Sequence, residues 1–356
     1  MDRTTVATYE LAASEWMGRR TTPKFLDEAV ALAAASPSGA WRADLGCGPG
    51  WHAPTLGVGG PVLAIDAARS MARRVGDHAP DAHVVVGDLE ALPVRAGVLG
   101  SGWARGSYQH IPTERLPLAL ADLHRSLGAD APVRLIITSN RLGAEAEWVD
   151  PIGPRHFARW TPERAHDVIV GAGFVVDAID DDGAEWLTVR ARRAATLADI
   201  VGPQMQLLIV GLNPSIYSAE RGIGFARPGN RFWPALLASG LADRDRDPIG
   251  AYRRFGIGFT DLVKRATVRA DALARAEYVE GTARVERLVT WLQPEAVCFA
   301  GLSGYRVAID RHARPGWQDE TFGGRPAYVM PNPSGLNAHT NVADLAQHLR
   351  TAAAAT

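Results

Sequence analysis

Apolar and polar positions fall into blocks that alternate along the chain. Short, nearly unbroken apolar runs ("WRADLG", "PVLAID", "DAHVVVGD" and "VRLIITS") predict strands buried on both faces. Between them, "PKFLDEAVALAAAS" and "RLPLALADLHRSL" repeat apolar residues three and four apart, which predicts helices. "TPERAHDVIVGAGF" predicts another helix, with Thr161 as N-cap, Pro162 in the first turn and Glu163 behind it. "VVDAIDD" and "EWLTVRARR" predict a closing strand pair. The pattern then restarts at "TLADIVGPQMQLLIVG". Such alternation points to an α/β fold with parallel sheets. The restart divides the chain into two expected domains, 1–194 and 195–356, with no long flexible linker between them. No internal repeat is visible, and the low-complexity sequence is confined to the Ala-rich tail "TAAAAT".

The 356 residues exceed one typical domain and suit two. A formal net charge of −1 excludes a globally basic nucleic-acid binder. The charge is uneven: residues 1–194 hold 20 basic and 24 acidic side chains, a net −4, and residues 195–356 hold 18 and 15, a net +3. A mildly basic second half permits a phosphate-backbone partner without requiring one. The two cysteines, Cys47 and Cys298, are too few and too far apart for a disulfide framework or a zinc site. The N-terminus lacks an apolar h-region, and nowhere do about 20 apolar residues run together. The expectation is a cytoplasmic protein with no membrane segment.

In the first half, "ADLGCGPG" places three glycines at alternate positions after a strand. Backbone without Cβ atoms can turn sharply there and lie against a ligand. About twenty residues on, "LAID" puts Asp66 at the next strand end, where a carboxylate can accept both hydroxyls of a ribose. A third strand ends in "VVVGDLEALP", which places Asp88 where an adenine amino group could sit. These three strand ends together resemble class I S-adenosylmethionine-dependent methyltransferases over most of residues 1–193. The resemblance implies a Rossmann-like sheet and an S-adenosylmethionine site lined by Asp44, Gly46, Gly48, Gly50, Asp66, Asp88 and Leu89. His110 is a candidate general base near the methyl acceptor. There are departures from the family pattern. The fourth strand lacks the usual Asp-aromatic opening, and neither a "PPY"-type motif nor a Pro-Cys nucleophile is present, so methylation of DNA bases is not expected.

The second half opens with "LLIVGLNPSIYSAERGIGFARPGNRFW". A buried strand runs into Asn213-Pro214, and asparagine at a strand end can both donate and accept. A second strand, in "AYVMPNPSGLNAHT", runs into Asn332-Pro333-Ser334-Gly335-Leu336-Asn337. Two such turns can converge on one mouth. An apolar Leu336 at a stiff loop tip would make a wedge for a base stack, and Phe225 offers a face for an extruded base. "GLNPS", "GFARPGNRFW", "DLVKRAT" and "PNPSGLN", in that order, resemble mismatch-specific uracil/thymine-DNA glycosylases of the uracil-DNA glycosylase superfamily over roughly residues 196–350.

That resemblance implies a three-layer α/β/α fold and no cofactor for this half. Asn213 would position the attacking water, Phe225 would stack on the pyrimidine and Ser218 would touch its polar edge. Asn332 would open the second motif, and Gly335, Leu336 and Asn337 would form the wedge that reads the widowed guanine. Phe232 and Trp233 would pack under the site. Ser215, where close relatives often have glycine, would either narrow the pocket or fill a turn. Arg253, Arg254, Lys264, Arg265 and Arg269 are candidates to track phosphates.

The expected function is excision of uracil, and less readily thymine, from G mismatches in duplex DNA, with a tethered methyltransferase-like half of unknown acceptor. One alternative makes methyl transfer the main activity, with the second half delivering it to nucleic acid. Another is a non-catalytic mismatch-binding module. Neither half requires a metal.

Overall fold

The computed structural model describes residues 1–18, 24–143, 146–150, 152–335 and 340–354. Its contacts divide it into two compact units. One comprises Met1–Val170 with Phe174–Ala194, and the other Ala195–Thr356 with Gly171–Gly173.

Seven strands form the sheet of the first unit. Five are parallel: β1 (Trp41–Leu45), β2 (Val62–Asp66), β3 (His83–Val86), β4 (Leu99–Arg105) and β5 (Pro132–Thr138). A separate hairpin, β6 (Ala146–Asp150) with β7 (Gly153–Phe157), follows. β8 (Phe174–Asp181) and β9 (Trp186–Arg193) then complete the large sheet, whose order is β3-β2-β1-β4-β5-β9-β8 with β9 antiparallel to both neighbours. The chain leaves β1 in one direction for β2 and returns on the other side as β4. The carboxyl ends of β1 and β4 therefore flank a switch point, where open α/β sheets bind ligands. The helix Arg3–Gly18 precedes the sheet; its apolar positions are too weakly periodic to mark it in the sequence. Thr161 does cap the helix Pro162–Gly171, its hydroxyl accepting from Arg164 N at 3.1 Å.

The second unit has a five-stranded sheet of order β11-β10-β12-β14-β13. β10 (Leu207–Gly211) is central, between β11 (Ile257–Asp261) and β12 (Ala296–Ala300). β14 (Ala327–Met330) follows in parallel, and the two-residue β13 (Gly316–Trp317) is an antiparallel edge. Alternation along β10 and β12 separates two cores. Leu208, Val210, Val297 and Phe299 face the helix Arg275–Leu292 through Val285 and Val289. Leu207, Ile209 and Cys298 face the helices Phe232–Ser239 and Val342–Ala353 through Phe232, Leu236, Leu345 and Leu349. Covering both faces explains why these strands read as unbroken apolar runs rather than alternating ones. The result is a three-layer α/β/α sandwich, with the ends of β10, β11 and β14 free to carry loops.

Candidate functional site

In the second unit the loops after β10, β11 and β14 enclose one cavity. Its lining includes Asn213, Ser218, Phe225, Asp261, Asn332 and Ser334. The two Asn-Pro turns thus meet at one mouth. Asn213 is held by its amide nitrogen, which donates to Thr267 Oγ1 at 2.7 Å, to the Arg265 carbonyl at 3.0 Å and to the Pro214 carbonyl at 3.2 Å. Carbonyl oxygens only accept, so the nitrogen must face them. Oδ1 is thereby turned the other way, with no protein partner among the described residues.

Phe225 adopts φ +57°, a left-handed conformation that costs a non-glycine residue on the order of 1 kcal/mol. One face of its ring stacks on Phe232, with centroids 4.1 Å apart and planes 21° apart. Phe232 is in turn fully buried, and Trp233 fixes the same loop by donating Nε1–H to the Gly224 carbonyl at 2.8 Å. Ser215 caps the helix Ile216–Arg221, accepting from Ser218 N at 3.2 Å and donating to Ser218 Oγ at 3.1 Å, so it fills a turn. Ser218 itself is buried and lines the cavity.

Asn332 closes its own turn, its Oδ1 accepting from Ser334 N at 2.9 Å. The loop is clamped from "GNRFW" by Arg231, a role the sequence reading missed. Its backbone N–H donates to the Pro333 carbonyl at 2.9 Å, and its guanidinium donates to the Ser334 carbonyl at 2.8 Å and to the Thr340 carbonyl. Gly335 lies so close to this segment that a Cβ would stand 2.7 Å from the Gly229 carbonyl oxygen. Leu336 and Asn337 lie outside the described residues.

The phosphate-tracking arginines need correction. Arg254 pairs with Asp243 and Asp247, Arg265 with Glu277, Arg269 with Asp271 and Lys264 with buried Asp199. These acids lie up to 65 residues away in sequence; the Lys264 pair is buried, the arginine pairs lie at the surface, and Arg253 is exposed with no acidic partner among the described residues. Arg227, exposed at the cavity rim, has no acidic or hydrogen-bonding side-chain partner among the described residues.

Sequence reasoning also missed Asp261. It ends β11 and pairs in register with Gly211 of β10, one strand away from the Asn213 loop. A Cβ on Gly211 would stand 2.2 Å from Asp261 Oδ1 and 3.6 Å from Phe225 Cζ, so glycine there lets carboxylate and ring approach each other. The signal was present as "TD" at the end of a strand beside β10, but only sheet register joins it to the site.

In the first unit the loop after β1 builds a second cavity, lined by Asp44, Gly46, Gly48, Asp66, Trp103 and His110 among others. Gly46 has φ +70°, and a Cβ on it would stand 2.2 Å from Ser107 Cβ, so only glycine allows this approach to the β4 end. Asp66 accepts from Gly48 N and Ala68 N, both at 2.8 Å, which ties the β2 end to the glycine loop. Burial, and then the charge of Asp66, raise the Asp44 carboxyl to about 8, and its Oδ2 has no hydrogen-bond partner. Burial raises Asp66 itself to about 6. Two such carboxyls facing one cavity favour a cationic ligand, whose charge would restore their ionisation.

Gly50, Asp88 and Leu89 do not line this cavity. Gly50 backs onto Val75, whose Cγ1 is 3.0 Å from where a Cβ would sit, and Leu89 is fully buried. Asp88 opens on an adjoining hollow with its side chain 48% exposed, and it accepts the Met1 ammonium at 2.7 and 2.8 Å. His110 donates Nδ1–H to the His156 carbonyl at 2.7 Å, so Nε2 carries the lone pair that faces the Tyr9 hydroxyl at 3.1 Å. Burial lowers its pKa to about 4, which keeps the ring neutral.

Among the described residues no helix is long and apolar enough to cross a membrane.

Comparison with known proteins agrees with this division. Residues 43–130 match the model of a methyltransferase domain, and residues 198–353 match that of the uracil DNA glycosylase superfamily. Solved structures similar to part of the chain include a 1,6-didemethyltoxoflavin-N1-methyltransferase from Burkholderia thailandensis. It is 19% identical with TM-score 0.44, over 53% of this chain and 88% of that one. A TehB-like S-adenosylmethionine-dependent methyltransferase from Corynebacterium glutamicum is 22% identical with TM-score 0.41, over 53% of this chain and 98% of that one. The chain thus carries, in order, a methyltransferase domain and a uracil DNA glycosylase superfamily domain.

Proposed function

We propose that the second half, residues 195–356, removes uracil from G·U pairs in duplex DNA, and thymine or damaged pyrimidines less readily. The locked amide of Asn213 carries this reading. With Nδ2 committed to Thr267, Arg265 and Pro214, Oδ1 can only accept, and a water that donates to it keeps an oxygen lone pair for the sugar carbon. An extruded base would lie on the free face of Phe225, with Ser218 and Asn332 near its polar edges. Gly335 and, next in the chain, Leu336 and Asn337 form the wedge that fills the vacated stack and meets the unpaired guanine.

Breaking the glycosidic bond leaves an oxocarbenium-like sugar and an anionic base, and loop N–H groups are suited to the latter. Uracil leaves more readily than thymine because it lacks the electron-donating methyl group. The test is abasic-site formation in labelled duplexes that differ only in carrying G·U, A·U or G·T. Release fastest from G·U and slowest from G·T supports the reading, and no release from any of the three refutes it.

The first half, residues 1–194, binds S-adenosylmethionine in this proposal. The unpartnered Asp44 Oδ2 fits the ammonium or sulfonium charge of that cofactor. Asp66 and the backbone of Gly46 and Gly48 lie on the same cavity. Gly50 sets the loop against Val75, Leu89 is buried outside the cavity, and Asp88 would serve adenine only after the Met1 ammonium leaves it. When bound, the cofactor supplies an electrophilic methyl group. DNA with a G·U or G·T mismatch is the proposed macromolecular partner, and the cytoplasm the proposed location.

A further inference from the structure

Asn213 can orient a water but cannot take its proton, so the glycosylase site as described lacks a base. We propose that Asp261 is that base, and this rests on the glycosylase reading. Three observations place it. Register sets Asp261 beside Gly211 at the carboxyl end of the sheet, and Asp261 lines the cavity that holds Asn213 and Phe225. Gly211 leaves the space that Oδ1 occupies, since a Cβ there would lie 2.2 Å from it. Both carboxylate oxygens are without a hydrogen bond or ion pair among the described residues.

The absence of a partner is notable because cations are near. Lys264 and Arg284 both pair with Asp199, at 2.8 Å each. Arg284 donates to the backbone carbonyl of Asp261 at 2.8 Å, not to its side chain. Asp199 takes up the neighbouring cations, so the Asp261 carboxylate is positioned by its backbone and left unengaged. Burial raises its pKa to about 6, against the lowering effect of Lys264 and Arg284 and with a further rise from Asp199. It is therefore ionised at neutral pH yet more basic than an ordinary aspartate, which suits general-base work.

In the step, the N1–C1′ bond breaks and its electron pair leaves with uracil as the anion. The water oxygen held by Asn213 Oδ1 forms the new bond to C1′. Its proton passes to a carboxylate oxygen of Asp261 and from there to solvent or to the departing uracil anion. Charge and atoms balance with no co-reactant beyond water.

The test is single-turnover uracil release from a G·U duplex between pH 5 and 8, for the intact protein and for Asp261→Asn. Affinity for the same duplex carrying 2′-fluoro-deoxyuridine, whose glycosidic bond resists cleavage, is measured alongside. The expected wild-type rate rises about tenfold per pH unit below about pH 6 and levels off above it. Asp261→Asn should be about a hundredfold slower at neutral pH, without the acid limb, and should bind the fluorinated duplex as tightly as wild type. A purely structural role would instead weaken binding and leave the shape of the pH profile alone. Asp261→Asn retaining the rate and the limb overturns the base while leaving the glycosylase reading intact. No release by the intact protein overturns both. If the variant does not fold, a wild-type rate independent of pH across the same range overturns the proposal by itself.

Discussion

Replacing Thr267 by valine tests whether Asn213 works by being held or merely by being present. Thr267 Oγ1 makes the shortest of the three contacts that orient the amide, 2.7 Å against 3.0 and 3.2 Å. Valine keeps the branched shape in a buried position and leaves the backbone bond from Thr267 N to the Pro214 carbonyl at 3.1 Å. Only the hydroxyl acceptor is lost. A neutral hydrogen bond contributes about 1 kcal/mol net. At about 1.4 kcal/mol per factor of ten, that is roughly fivefold in rate. The amide would then be held by two carbonyl acceptors alone, and its Oδ1 would be less firmly placed for the water. Single-turnover excision from a G·U duplex should fall about fivefold in Thr267→Val, with duplex affinity unchanged, and Thr267→Ser should restore it. A valine variant with the full wild-type rate would refute the claim that amide orientation governs attack.

Other outcomes follow from the same geometry. Arg227→Ala should weaken binding of G·U and fully paired duplexes alike and lower the salt slope of binding by about 1, as titrations at several salt concentrations would show; an unchanged slope would remove Arg227 from the interface. Affinity of the first half for S-adenosylmethionine should rise with pH up to about 8, because Asp44 must ionise to meet a cation, and calorimetry on Asp44→Asn should find weaker binding whose rise ends near pH 6, where Asp66 ionises. The same carboxyl, raised in the folded state, favours folding below the ordinary aspartate range near 4. That contribution is lost as pH rises towards about 8, so Asp44→Asn should flatten the thermal stability profile across this window. Asp199→Asn leaves Lys264 and Arg284 without their shared carboxylate and should destabilise the second half by about 3–5 kcal/mol in denaturant unfolding.

Most of the sheet architecture was legible because burial on both faces writes strands as apolar runs, as in "LLIVG" and "VRLIIT". Asn213, Phe225 and Asn332 were legible because strand ends and stiff Gly/Pro loops mark where a sheet opens. Local patterns failed wherever function depended on a distant partner. Lys264, Arg254 and Arg265 read as a basic run, yet their acids come from the start of the domain, a preceding loop and a later helix. Asp261 carries no signal in the local sequence beyond its place at a strand end, and only register sets it against Gly211. Arg231 sits beside the packing residues Phe232 and Trp233, and only its bonds to three carbonyls of the 333–340 loop reveal a clamp on the second motif. Asp88 had the right position in the sequence but lies outside the cavity of Asp44 and Asp66.

The most direct measurement is uracil release from a labelled duplex carrying a single G·U pair, run side by side for the intact protein and for Asn213→Ala. Abasic sites formed by the intact protein and lost in the variant are the expected result. No release by the intact protein, or undiminished release by Asn213→Ala, would contradict the claim that this cavity excises a base with a water held by Asn213.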